Sequence, residues 1–328
     1  MREWLVAADD RTGAFEVAAL LAEIVGPVDV SAGALPVGAG VVDLGSRELS
    51  ASAATSAAEV VDVASAGWIA HKIDSTLRGN WAAELLARRR VSGRRIVVLP
   101  GWPELGRTCV AGVVQVHGEP IGSALEGLPG ATSIADAEAL ARWLAGDGAI
   151  AVCDVPDTGT MHALAQALVD ADVLVAGPAG PIGAVFAARF GPPRSPGRQT
   201  IHGPVLVVCG SANPVALAQM QRLSLALPTV RIVTAPPAGG ALKVAVAGQI
   251  AAQAHRIARE LMPATVIVVG GDTAAAFLGS APRLVGGTVA AGMPWSLDAA
   301  GQGPLVITKA GGFGGPDALV DLLMSETG

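Results

Sequence analysis

The 328-residue chain contains no Tyr, and aromatic residues make up only 3% of it. That scarcity argues against a base-stacking platform for single-stranded nucleic acid. Charged residues reach only 15%, with a formal net charge of −6. A nucleic-acid backbone is therefore not an expected partner, although a local basic pocket is enough to hold a small anion. The three cysteines, Cys109, Cys153 and Cys209, lie far apart and form no CxxC pair. They read as buried, reduced thiols of a cytoplasmic protein. The five His are dispersed and form no HExxH, so no metal site is expected. No GxGxxG follows the first strand-like run and no GxxxxGK[ST] occurs, which removes the dinucleotide fingerprint and the Walker A loop. That first run begins almost at once, so a signal peptide is not indicated. Apolar runs such as 205–209 are too short to span a membrane.

What is present is apolar and rich in glycine: 51% hydrophobic residues and 42 Gly. This length suggests two domains, each able to bury a core. Short apolar runs at 4–8, 41–44, 68–71, 95–100, 149–154, 173–176, 205–209, 229–233, 265–269 and 305–308 read as strands. Helical spacing appears at 14–25, 51–64, 81–90, 136–144, 161–169, 214–225, 242–262, 274–278 and 317–324, with a helix also running to Phe190 after a Gly/Pro turn at 177–183. Residues 113–121 look like a hairpin. The alternation predicts two α/β domains with mainly parallel sheets; an interdomain active-site cleft is a further expectation that the alternation does not itself supply. The Pro- and Gly-rich stretch 191–203 is the expected linker, between domains at 1–190 and 204–328.

Residues 70–80 are unusually polar for so charge-poor a chain: Lys72, Asp74, Ser75, Thr76, Arg78 and Asn80 fall within nine positions, with Gly79 as the hinge. Arg can grip a carboxylate through two parallel bonds, Lys adds a compact charge, and Asp and Ser bond hydroxyls. The pattern suits a small, anionic, hydroxylated ligand. A helix-capping loop with solvated charges is the plainer reading. Asp9 and Asp10 end the first strand, where open α/β sheets bind ligands. They are open to three readings: a pair for substrate hydroxyls, a general base, or a turn and an N-cap. Arg88, Arg89 and Arg90 read as a solvated helix end.

The C-terminal half carries three strand-to-helix loops rich in glycine. They are Gly210-Ser211-Ala212-Asn213, Gly270-Gly271-Asp272-Thr273 and Lys309-Ala-Gly311-Gly312-Phe-Gly314. Backbone N–H groups in the first and third of these loops can cradle phosphate. Plain βα turns, with Asp272 or Thr273 as a cap, are the alternative.

Several of these stretches together resemble the four-carbon acid sugar kinases. Lys72-Ile-Asp-Ser-Thr-Leu-Arg-Gly-Asn80 looks like that family's signature, and Ala8-Asp-Asp-Arg-Thr-Gly-Ala14 is similar to its start. Pro100-Gly-Trp-Pro-Glu-Leu-Gly-Arg-Thr108 resembles another of its segments. The chain departs from the family at Arg11, Glu16, Asn213, Ala291, Ala310 and Gly312. The resemblance implies an ATP-dependent kinase phosphorylating a hydroxyl of a small sugar acid such as erythronate, threonate or an oxo-tetronate. It implies substrate contacts from Asp9, Asp10, Lys72, Asp74, Ser75, Arg78, Gly79 and Arg107, with Asp9, Asp10, Asp74 and Lys72 as the catalytic candidates. It implies ATP contacts from Ser211, Gly270, Gly271, Asp272, Thr273, Lys309, Gly311, Gly312 and Gly314, with Mg²⁺ on the phosphates. The expected partners are the sugar acid and ATP, with neither nucleic acid nor membrane; a homo-oligomer is allowed. The departures in the glycine loops motivate one alternative, a sugar-acid-binding protein with a degraded nucleotide site. An oxidoreductase on the same scaffold is disfavoured by the missing dinucleotide fingerprint.

Overall fold

The structure, a computed structural model, describes residues 2–63, 66–194, 199–234 and 243–325. Positions 195–198 of the expected linker and the first residue of the helix expected at 242–262 lie outside them. The chain divides into two compact units, Met1–Arg194 and Ser195–Gly328.

The first unit begins with β1 (Arg2–Ala8), whose Trp4–Ala8 stretch is buried throughout. Burial on both faces is why this strand reads as a continuous apolar run. Helix α1 (Arg11–Val25) follows, capped by the Asp10 carboxylate, which accepts from Gly13 N at 2.8 Å. Val17, Ala18, Leu21 and Ile24 form its buried face, and Gly26 at φ +90° ends it. Next come β2 (Val28–Ala32), β3 (Gly40–Asp43), α2 (Ala51–Glu59) with a 3₁₀ turn after it, β4 (Ala66–Lys72), α3 (Trp81–Ser92) and β5 (Arg95–Val98). Three short strands, β6 (Arg107–Val110), β7 (Val113–Val116) and β8 (Glu119–Ser123), make a separate antiparallel sheet that contains the expected hairpin. A four-residue α4 (Ala124–Gly127), β9 (Thr132–Ile134), α5 (Ala137–Ala145), β10 (Ile150–Cys153), α6 (Thr158–Ala167), β11 (Val173–Gly177) and α7 (Ala179–Phe190) complete the unit. Its main sheet runs β2-β3-β1-β4-β11-β5-β10-β9, all parallel.

Two expectations change here. Residues 179–183, read as a turn, form the first turn of α7. Pro181 is tolerated because first-turn N–H groups have no intrahelical acceptor. Arg88 is not part of a solvated tail: it is fully buried, its Nε and Nη2 reaching Asp62 at 2.9 and 2.8 Å and its Nη1 reaching Ala70 O at 2.6 Å. Helix phase turns Arg88 inward, on the side of Glu84 and four residues further on, while Arg89 and Arg90 stay exposed.

The second unit comprises β12 (Val205–Cys209), α8 (Pro214–Ala226), β13 (Arg231–Thr234), α9 (Lys243–Leu261), β14 (Thr265–Val269), α10 (Gly271–Leu278), β15 (Arg283–Ala290), β16 (Met293–Asp298), β17 (Leu305–Lys309) and α11 (Ala318–Met324). Strands β13-β12-β14-β17 are parallel, while β17-β16 and β16-β15 are antiparallel. The β15–β16 hairpin was not legible as strands. Its glycines and Pro294 suppress the strand signal, and its pairing slips between Val285 and Gly287 and again between Thr288 and Ala290. The core between this sheet and its helices includes Val207, Ile267, Ile307, Met220, Leu223 and Leu319.

In each unit the strand order reverses once beside the first strand. In the first, the chain passes from β1 out to β2 and back to β3, which lies between them, then starts again with β4 on the other side of β1. In the second, it moves from β12 to β13, then restarts with β14. Such reversals open a crevice at the carboxyl ends of the two central strands.

Candidate active site

In the first unit the crevice is lined by the residues that follow β1, β3 and β4. At its centre is Arg47, a residue the sequence motifs did not single out. Its guanidinium donates to Asp9 through Nε at 2.8 Å and Nη2 at 2.9 Å, and to Asp10 through Nη1 at 2.8 Å and Nη2 at 2.9 Å. It also lies 3.6 Å from Asp74 Oδ1. The backbone fixes this arrangement: Ser46 N and Arg47 N both donate to Asp9 O, and Asn80 Nδ2 holds the carbonyls of Ser46 and Leu49. The signal that would have found Arg47 is its position four residues past a buried strand. Its value depends on β3 being the neighbour of β1, which local sequence does not state.

Asp9 is fully buried, whereas the Asp10 side chain keeps 22% of its exposure. Burial raises the Asp9 carboxyl above its ordinary value, against the lowering influence of Arg47 and Lys72. Burial also works to raise Asp74, but bonds from Arg78 and Thr76, with Arg47 beyond them, outweigh it and hold that carboxyl below the usual range. Arg78 engages Asp74 with Nε at 2.9 Å and Nη2 at 2.7 Å while remaining 67% exposed. Gly79 stands at φ +83°, and a Cβ there would come within 3.0 Å of Arg47 Cγ, so glycine lets the loop pass over the arginine. Lys72 is buried, 3.8 Å from Glu16 Oε2. Burial raises the Glu16 carboxyl, while Lys72 and then Arg107 lower it, so Arg107 belongs to the same electrostatic neighbourhood. Arg107 Nε is buried without a hydrogen-bond acceptor among the described residues. Ser75 is half-buried in the loop. Beneath the crevice His71 and Glu84 pair at 2.9 Å inside the core. A second buried pair, Arg11 and Asp43 at 3.7 Å, lies within electrostatic reach of Asp10 and Asp9, and burial lifts the Asp43 carboxyl to about 6.

In the second unit the loops after β12, β14 and β17 converge. A Cβ on Gly311 would fall 2.1 Å from Ser211 Oγ, and one on Gly312 would be 3.0 Å from Asn213 Nδ2. Thr273 is buried, and a Cβ on Gly210 would stand 2.2 Å from its Oγ1. Ser211, Thr273, Gly311 and Gly312 are therefore packed at glycine distance. Gly270 is the N-cap of α10 at φ +108° with no side-chain cap, so Gly271, Asp272 and Thr273 sit inside the first helical turn and do not cap it. Asp272 is exposed there. Lys309 is buried, with Nζ donating to Ala310 O at 2.9 Å. Burial draws its ammonium down to about 8, with the Cys209 thiol beside it. The three cysteines are free and buried. Burial pushes the Cys109 thiol up to about 12. No helix among the described residues is long and apolar enough to cross a membrane.

Comparison with known proteins adds to this geometry. Residues 4–125 match a family described as a sugar-binding N-terminal domain. A D-threonate kinase of Cupriavidus necator is 37% identical over 130 residues, a match covering 36% of this chain and 31% of the relative. A D-threonate kinase of Bordetella bronchiseptica is 28% identical over 316 residues, covering 76% of this chain and 75% of the relative. Among solved structures, a Haemophilus influenzae protein of a family first defined as a domain of unknown function aligns with a TM-score of 0.68 at 20% identity, covering 98% of this chain and all of that one. The last likeness bears on the fold alone. Taken together, these matches make residues 4–125 similar to a sugar-binding N-terminal domain and the chain similar to D-threonate kinases.

Proposed function

We propose that this chain is an ATP-dependent kinase for a small sugar acid, with D-threonate or a close four-carbon relative as acceptor. The observation that carries the reading is the pair of switch-point sites. The first unit offers cations and carboxylates to a hydroxylated acid, and the second offers a lysine and glycine loops to a polyphosphate. In this reading the acceptor lies on Asp10, Lys72, Asp74, Ser75, Arg78, Gly79 and Arg107, with Asp9 behind them holding Arg47. Arg107, whose Nε has no acceptor among the described residues, and Arg78, whose Nη1 makes no bond among them, take the acid's carboxylate.

Phosphoryl transfer needs positioning and charge neutralisation more than covalent chemistry from the protein. The acceptor oxygen bonds to the γ-phosphorus as the bond to the β-phosphate oxygen breaks, ADP leaves, and the hydroxyl proton passes to a carboxylate. Asp10 suits that role, being partly exposed and oriented by both Arg47 and the start of α1. Asp9 is sealed off and serves to hold Arg47. Asp74 is a weak base because its bonds stabilise the charged form. On the ATP side, Ser211, Gly270, Gly271, Thr273, Gly311, Gly312 and Gly314 shape the cradle and Lys309 supplies charge. The close approach at Gly311, where a Cβ would strike Ser211, fits a loop that must let its backbone reach an anion. Mg²⁺ would be carried by the nucleotide phosphates, neutralising their charge, with Asp272 as the available carboxylate.

The decisive test is ADP release from Mg·ATP with erythronate, threonate and their oxo forms as acceptors. Turnover with one of them is the expected result. Silence across the panel in folded protein, together with no ATP binding and retained sugar-acid binding, would replace the kinase with a binding protein. The altered positions Asn213, Ala310 and Gly312 would then be the cause.

A further inference from the structure

Gln219 lies in the middle of α8 and is fully buried. Its amide nitrogen is surrounded by three successive carbonyls of the loop after β17: Phe313 O at 3.0 Å, Gly315 O at 2.8 Å and Gly314 O at 3.4 Å. An amide NH₂ has two protons, so the third contact is shared. The other end of the same amide, Oε1, is buried with no partner among the described residues. An unsatisfied buried acceptor is costly, and Leu or Met would fill similar space without that cost. A glutamine here is accounted for by what its nitrogen holds.

In a trans peptide the C=O and the following N–H point in opposite directions. Drawing the carbonyls of Phe313 and Gly314 toward Gln219 therefore turns the N–H groups of Gly314 and Gly315 away from it. Neither amide finds an acceptor among the described residues. Gly314 is left-handed at φ +78°, the kind of backbone that lets successive N–H groups converge on an anion. A Cβ at Gly314 would lie 3.9 Å from Lys309 Cε, so the same turn wraps the buried lysine.

We propose that Gln219 is a positioning residue for the nucleotide site. It locks residues 313–315 in the orientation that presents the Gly314 and Gly315 amides, beside Lys309, to the polyphosphate chain. This rests on the reading of the second unit as the ATP-binding one. The ligand it acts on is the phosphate chain rather than the base.

The test compares wild type with Gln219→Met, which keeps the length and loses the donor. Calorimetric titration with Mg·ATP and with inorganic tripolyphosphate is paired with kinetics in both substrates and thermal melting without ligand. Loss of one charge-assisted hydrogen bond predicts that both probes bind roughly 10- to 100-fold more weakly and by the same factor. KM for ATP should rise and KM for the sugar acid should stay, while the melting temperature without ligand shows that the variant is folded. Undiminished binding of both probes by Gln219→Met, with binding wild type beside it, overturns the positioning role alone. Wild type that binds neither probe overturns the nucleotide reading and this inference together. Should Gln219→Met not fold, Gln219→Asn, which keeps the amide on a shorter arm, carries the same comparison.

Discussion

Arg47 shares one guanidinium among Asp9, Asp10 and Asp74, and this sharing sets the chemistry available to each. Removing it leaves two adjacent carboxylates without their common cation, one of them fully buried. Arg47→Ala should cost about 3–5 kcal/mol of stability, the usual penalty for stranding a buried charge. A denaturant series would measure it, and a loss below 1 kcal/mol would mean Asp9 is neutral in the folded chain. Asp10→Asn keeps most of the geometry and removes the proton acceptor. It should lower kcat by roughly 10²–10⁴-fold with little change in sugar-acid affinity, the size expected for a general base. An unchanged kcat would move the role to another group. Lys309 gives a prediction in pH. Burial brings its ammonium to about 8 from 10.5, so between those values the unfolded chain holds more protons than the folded one. Stability should therefore rise with pH through that window as the folded lysine sheds its proton. ATP affinity should do the opposite, falling as pH passes about 8, because phosphate needs the charged form. Lys309→Met should flatten both curves, and curves that keep their slope would place the titration elsewhere.

At the scale of elements, the motif loop and α3 act as one piece. Trp81 Nε1 bonds Leu77 O, Asn80 holds the 46–49 loop, and the inner face of α3 carries Glu84 to His71 and Arg88 to Asp62. Arg88→Leu should destabilise the chain by about 3–5 kcal/mol by leaving Asp62 buried and unpaired. Adding Asp62→Leu should restore part of that loss, and no recovery in the double variant would show the two charges to be independent. Most strands were legible here because both faces of a parallel sheet are buried, leaving runs such as Val205–Cys209 with no polar interruption. The helix opened by Asn213 and Pro214 was legible too, and Asn213 accepts from its first-turn amide, whereas Asp136, read as the first residue of its helix, is in fact the cap before it. The inward turn of Arg88 was not legible. Three arginines in a row look solvated until the partner of one, Asp62, is brought beside it from 26 residues away.

For the whole molecule, each unit has its own core and its own crevice, so each should respond to its own ligand. Calorimetry should resolve two unfolding transitions, one raised by the sugar acid and the other by Mg·ATP, since a ligand stabilises only the unit that binds it. A single transition shifted equally by either ligand would mean that the units unfold together and the assignment cannot be divided between them.

The amino-acid sequence by itself determined the α/β class, the dense polar stretch at 70–80, the aspartates after the first strand and the three glycine loops. These are local features: apolar runs, caps and close-approach glycines are written in neighbouring residues. Only the tertiary structure decided that Arg47 sits between Asp9 and Asp10, that Arg78 is tied to Asp74, and that Gln219 grips the loop after Lys309. The first and third join segments that follow different strands, whereas Arg78 and Asp74 lie four residues apart in one loop. Which crossovers become neighbours is set by the strand order, which balances the burial of whole strands and helices and has no signature at the positions it brings together.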